Sequence, residues 1–114
     1  MEQIEDSRLF EFFLETLGHC GTHLLQASIL DIEWHLFEEF DSGSIPFLHK
    51  NTLDRLLNAQ YISAEVYTLC ELLRKKFRGM EGRSLWNADS VKSDPEWHTI
   101  LSLSDKIKGM INRV

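Results

Sequence analysis

The chain has 114 residues, 43% hydrophobic and 26% charged, with six glycines, two prolines, two cysteines and a formal net charge of −6. That length suits one domain with an ordinary hydrophobic core, and two cysteines are too few for a disulfide framework. No run approaches the ~18 uninterrupted apolar residues that a membrane span requires. The charge is unevenly placed. Between Met1 and Asp41 lie ten of the eighteen acidic residues and a single cation, Arg8. Residues 1–41 therefore form an acidic half with a formal charge of −9, and residues 42–114 a mildly basic remainder of +3. Such an asymmetry concerns partners more than fold, and it predicts a surface that attracts something basic, a nuclease or other nucleic-acid-handling protein being the obvious class.

The first predicted helix runs from about Ser7 to Leu17, with Leu9, Phe10, Phe13, Leu14 and Leu17 on one face and Gly18 as its stop. Glu11 and Glu15, four apart, face outward. A second helix is expected from Thr22, whose hydroxyl suits a cap, to Phe40. At 100° per residue its core sector holds Leu25, Ile29, Ile32, Leu36 and Phe40, flanked by Leu30 and Phe37. Asp41-Ser42-Gly43-Ser44 reads as a turn, with Pro46 restricting the chain beyond it.

Asn51 or Thr52 is placed to cap a short helix containing Leu53, Leu56 and Leu57. Ser63 caps a longer one with Glu65 in its first turn. Val66, Leu69, Leu72, Leu73 and Phe77 are expected inward. Arg74, Lys75, Lys76 and Arg78 suit the negative end of its dipole, and Gly79 ends it. Residues 79–94 read as a connection with one helical turn around Asn87–Val91. The last helix is capped by Ser93 or Asp94, with Pro95 in its first turn, and Trp97, Ile100, Leu101, Ser104, Ile107 and Ile111 follow at helical spacing. No segment alternates with period two. The expected fold is all-α: one domain over 1–114, a bundle of five or six antiparallel helices.

The same wheel puts Asp31, Trp34, Glu38 and Asp41 opposite the core sector, with Ala27 beside them. Three carboxylates then surround an indole, the pairing of aromatic anchor and steering charge that interfaces use. Asp31, Glu33, Trp34, Glu38, Glu39 and Asp41 are the expected partner-binding residues. His19-Cys20-Gly21-Thr22-His23 offers one half of a zinc-ligand pattern, with Cys70 the only distant thiol, so no metal is expected. Neither cysteine has a nucleophile elbow or glycine-rich oxyanion loop, and Glu38 and Glu39 diverge on a helix, so no catalytic residue is assigned. The run Arg74-Lys75-Lys76-Phe77-Arg78 is too small a basic footprint for nucleic acid, and a bridge to the acidic half explains it more simply. A local packing role is the default for Trp97, and Trp86 is read as either an anchor or a lid on the core.

From Leu48 onward, Leu69-Cys70-Glu71-Leu72-Leu73-Arg74-Lys75-Lys76-Phe77, Leu85-Trp86, Ser93-Asp94-Pro95-Glu96-Trp97 and Leu103-Ser104-Asp105-Lys106-Ile107 carry a resemblance over roughly half the chain. The sequence there resembles the small helical immunity proteins of bacterial contact-dependent inhibition and related polymorphic toxin systems. The resemblance implies a protein without chemistry or cofactor of its own, which binds one cognate toxin domain, often a nuclease, and blocks its active site or substrate surface. It carries over no binding residues. Together these readings predict a cytoplasmic immunity protein acting by stoichiometric tight binding. A helical adaptor for a basic host partner is the alternative, with a small hydrolase behind it.

Overall fold

The computed structural model describes residues 4–111, and among them there is no strand. In chain order come α1 (Asp6–Gly18), a 3-10 turn (Thr22–Gln26), α2 (Ile29–Ile32), a π-helical segment (Glu33–Phe40), α3 (Asp41–Phe47), α4 (Lys50–Asn58), α5 (Ala64–Met80), α6 (Ala88–Ser93) and α7 (Pro95–Ile111). α2, the π segment and α3 run on through right-handed helical residues at each junction. They form one long helix, and the fold is an all-α bundle of six.

Local chemistry sets most of the boundaries. Ser63 Oγ accepts the Val66 N–H at 3.1 Å and opens α5. Asn87 Oδ1 accepts from Ser90 at 2.8 Å to open α6, and Asp94 Oδ1 accepts from Glu96 at 2.9 Å to open α7. These bonds satisfy N–H groups that a helix start leaves without internal partners. α4 starts slightly ahead of Asn51 because the His49 ring nitrogen accepts the Asn51 N–H at 3.1 Å. Thr52 instead donates its hydroxyl to the Pro46 carbonyl at 2.6 Å, tying α4 to the end of α3.

The core is aromatic at its centre. Phe40 meets Phe77 edge-on with centroids 4.8 Å apart, and Phe37 meets Trp86 at 4.9 Å. Trp97 is fully buried, lies 5.9 Å from both Phe77 and Trp86, and donates its indole N–H to the Leu85 carbonyl at 2.7 Å. Burying that indole is tolerable because its one donor is satisfied. Trp86 is thus a half-buried lid on the core. Four parts of the chain (the long helix, α5, the connection after it and α7) converge on this cluster.

Several expectations need correction. The second helix does not start at Thr22. The Thr22 hydroxyl is taken by the Asp105 carboxylate of α7, the 3-10 turn ends at Gln26, and Ser28 caps the real start by accepting the Asp31 N–H at 3.1 Å. Ile29 consequently stands partly exposed. Leu14 and Leu72 also face outward, since the buried stripes are Leu9, Phe13, Leu17 and Val66, Cys70, Leu73, Phe77.

The expected turn at 41–44 is helix. Its polar side chains, which would otherwise favour a turn, have tertiary partners: Arg78 binds the Asp41 carboxylate and donates to Ser44 Oγ at 2.9 Å. Gly43 lets α3 lie against α1, where a Cβ would stand 2.5 Å from Thr16 Oγ1. Thr16 is itself buried and donates to the Phe12 carbonyl at 2.9 Å, so it has little room to yield. Gly43→Ala is therefore expected to destabilise the fold by about 1–3 kcal/mol, measured by urea denaturation, against the small gain Gly→Ala gives in an open helix.

Candidate partner-binding site

The long helix owes its two faces to the π segment. Where N–H groups reach back five residues, side chains four and five apart share a face. Ile32, Leu36 and Phe40 are fully buried on the inner side, and Phe37 is half-buried beside them. The outer stripe holds Leu30, Trp34, Glu38 and Glu39. Leu30 is 76% exposed and Trp34 48% exposed, a large apolar pair on successive turns with nothing covering it. Asp31 and Glu33 lie exposed on either side.

Among the described residues Asp31, Glu33 and Glu38 make no ion pair, whereas other carboxylates of the acidic third do. Asp6 receives Arg55 Nη2 at 2.6 Å, and Glu11 pairs with Arg8 at 2.9 Å. Glu39 lies 3.9 Å from His19 Nε2. Exposed Glu5 and Glu15 are also without an ion pair among the described residues, so unpaired negative charge lies on α1 and its start as well as around Trp34.

Asp41 behaves differently from the set predicted with it. A wheel of 100° per residue places it beside Trp34, but the wider π turn carries it round to the inner side. There its carboxylate binds Arg78, whose guanidinium also donates to the Asp41 carbonyl at 3.3 Å and lies over the Phe77 ring at 4.9 Å. This is the bridge from the basic run to the acidic half. The structure brings together Asp31, Glu33, Trp34, Glu38 and Glu39 on one surface and holds Asp41 in an internal ion pair.

Sequence spacing did not point to the histidines behind Trp34. His35 packs edge-on against the indole with centroids 4.7 Å apart, and His19 does so at 5.4 Å. His19 Nδ1 and His35 Nδ1 are 2.9 Å apart. The neighbouring 3-10 turn is latched to α7: Thr22 donates hydroxyl and N–H to Asp105, while Ser104 Oγ and Lys108 Nζ donate to the Cys20 carbonyl at 2.8 and 2.7 Å. Gly21 permits this approach, since a Cβ there would fall 2.5 Å from Asp105 Oδ1.

Burial pushes the Cys20 and Cys70 thiols up to about 12. Both remain protonated at neutral pH, a poor starting point for nucleophilic chemistry. Among the described residues no group of three or more His, Cys, Asp or Glu is placed to hold a metal ion. No helix there is long and apolar enough to cross a membrane. No protein-family model, curated protein or solved structure matches the chain.

Two stability measurements separate structural from surface carboxylates. Asp41→Asn is expected to cost about 1–2 kcal/mol in urea denaturation, since it weakens charged hydrogen bonds to a partly buried arginine, while Glu38→Gln costs under about 0.5 kcal/mol. For Asp105, burial works to raise the carboxyl, but the Thr22 hydroxyl and N–H and Lys108 outweigh it and hold it below the ordinary 3.8. A depressed carboxyl stabilises the fold above its unfolded value, and that contribution is lost as pH falls through the folded one. Asp105→Asn should therefore lower stability at neutral pH and make the decline below about pH 4 shallower than in the wild type.

Proposed function

We propose that the protein is an immunity protein, binding one cognate toxin domain stoichiometrically and without catalysis of its own. The observation that carries this reading is the exposed Leu30–Trp34 pair set among Asp31, Glu33 and Glu38, carboxylates without an internal cation among the described residues. An uncovered indole beside an uncovered leucine is an anchor of the kind that fills a partner's pocket. Unpaired carboxylates around it steer a cationic partner and fix its orientation. A nuclease domain presents such a cationic surface, because it must attract phosphate, and occupying that surface keeps nucleic acid out. The resemblance carried by the stretches quoted from Leu48 onward agrees with the same reading.

Asp41 is left out of the docking set, since reversing it would break the Arg78 pair and confuse stability with binding. Glu39 belongs to the set through its place on the outer stripe, with part of its charge directed at His19.

The test takes the product of the gene immediately upstream as the candidate toxin. Co-expression should protect cells from that toxin domain, and purified protein should bind it one to one. Reversing Glu33 and Glu38 together to lysine is expected to reduce the association rate about tenfold or more at low salt and to flatten its salt dependence. Trp34→Ala should instead raise the dissociation rate, at a cost of about 2 kcal/mol or more. An unchanged association rate and salt slope in the double reversal would remove the acidic face from the mechanism. Binding of a basic host protein without protection would favour the adaptor reading.

A further inference from the structure

Behind Trp34, three elements each contribute a histidine to one cluster. His19 follows α1, His23 lies in the 3-10 turn and His35 lies in the π segment. The His23 ring meets His35 edge-on at 6.2 Å, and the His19 and His35 rings approach by their Nδ1 atoms at 2.9 Å. A neutral imidazole has one N–H and one bare nitrogen, so at that distance one ring donates and the other accepts. If both rings were fully protonated, N–H would face N–H and the contact would fail. The pair therefore holds together with no net charge or with one added proton, and not with two.

Charged groups on the neighbouring elements face the cluster. On the π segment, Glu39 Oε2 lies 3.9 Å from His19 Nε2, the ring atom pointing away from His35. From α1, Glu15 lines the same cleft as His19 and Glu39. From α7, Asp105 and Lys108 both act on His23, whose imidazole is held below its ordinary range first by burial, then by Lys108 and by His35. A second charge on the pair would sit about 3 Å from the first, where like charges repel strongly in a partly buried site.

Trp34 is placed to register that change. Its ring stands nearly perpendicular to both imidazoles, at 86° to His19 and 73° to His35, so each presents an edge to the other. The indole has no other aromatic neighbour among the described residues. Moving either imidazole moves its support. We infer that His19 and His35 are positioning residues for Trp34, joined through one shared proton, and that a second proton on the pair separates the rings and resets the indole. The consequence for binding rests on the reading of Trp34 as the docking anchor: the docking face is assembled at neutral pH and disturbed in acid.

The free protein suffices to test this by nuclear magnetic resonance of its histidine and tryptophan nitrogens. At about pH 8, one of His19 and His35 should carry its proton on Nδ1 and the other on Nε2. Between about pH 8 and about pH 4.5 the indole N–H signal of Trp34, identified by its loss in Trp34→Phe, should move while those of Trp86 and Trp97 hold still. His35→Gln, which cannot take up the proton, should remove more than half of that movement. Finding both rings as Nε2–H tautomers at the upper pH would overturn the proposal, as would an unchanged Trp34 titration in His35→Gln. So would all three indoles moving together. If His35→Gln does not fold, the wild-type tautomers decide alone. Capture of the toxin domain at neutral pH uses none of these signals, so the docking reading stands or falls separately.

Discussion

The register of the long helix is the constraint on which the surface depends. Phe37 and Phe40 are pulled inward by Phe77, Trp86 and Trp97, and Asp41 by Arg78. An α-helix places positions three and four apart on one face, whereas a π turn shares a face between positions four and five apart. Widening the turn lets Leu36, Phe37, Phe40 and Asp41 all reach partners in the core. The same widening aligns Leu30, Trp34, Glu38 and Glu39 outside. The π geometry has a cost in hydrogen-bond quality and is found mostly at functional sites. Here its return is twofold, since one distortion completes the core and assembles the exposed stripe.

The acidic third separates into carboxylates that hold the fold and carboxylates that face solvent. Asp6 reaches α4 through Arg55, and Asp41 reaches α5 through Arg78. Each joins elements distant in sequence, so part of the amino-terminal charge is already matched by the basic remainder. Among the described residues, three of the carboxylates left unpaired, Asp31, Glu33 and Glu38, lie on the long helix around Trp34, and Glu5 and Glu15 lie at α1. A formal −9 therefore overstates the field available to a partner.

Much of the fold was legible because its signals are local. Ser63, Asp94 and Pro95 announce α5 and α7, and the apolar spacing of Leu9, Phe13 and Leu17 announces α1. The departures arise where distant residues override neighbours. Thr22 is an acceptable cap by type, but Asp105, 83 residues away, takes its hydroxyl. Asp41 to Ser44 has turn composition, but Arg78 and the close approach to Thr16 favour helix. For the candidate surface, the shared exposure of Asp31, Trp34 and Glu38 was legible in the helical periodicity. The position of Asp41 was not, because a fixed 100° wheel cannot anticipate a π turn. His19 and His35 were invisible as a pair, being sixteen residues apart on different elements.

The latch between the 3-10 turn and α7 bears on the order of events during synthesis. Thr22 and the Cys20 carbonyl are secured by Ser104, Asp105 and Lys108, partners made more than eighty residues later. The turn that follows His19 is thus fastened by a helix synthesised long after it. Contacts this far apart close late, after the chain has met the entropy of a long loop. A nascent chain would display the acidic segment early but lack its finished shape, so the proposed recognition would await completion of α7.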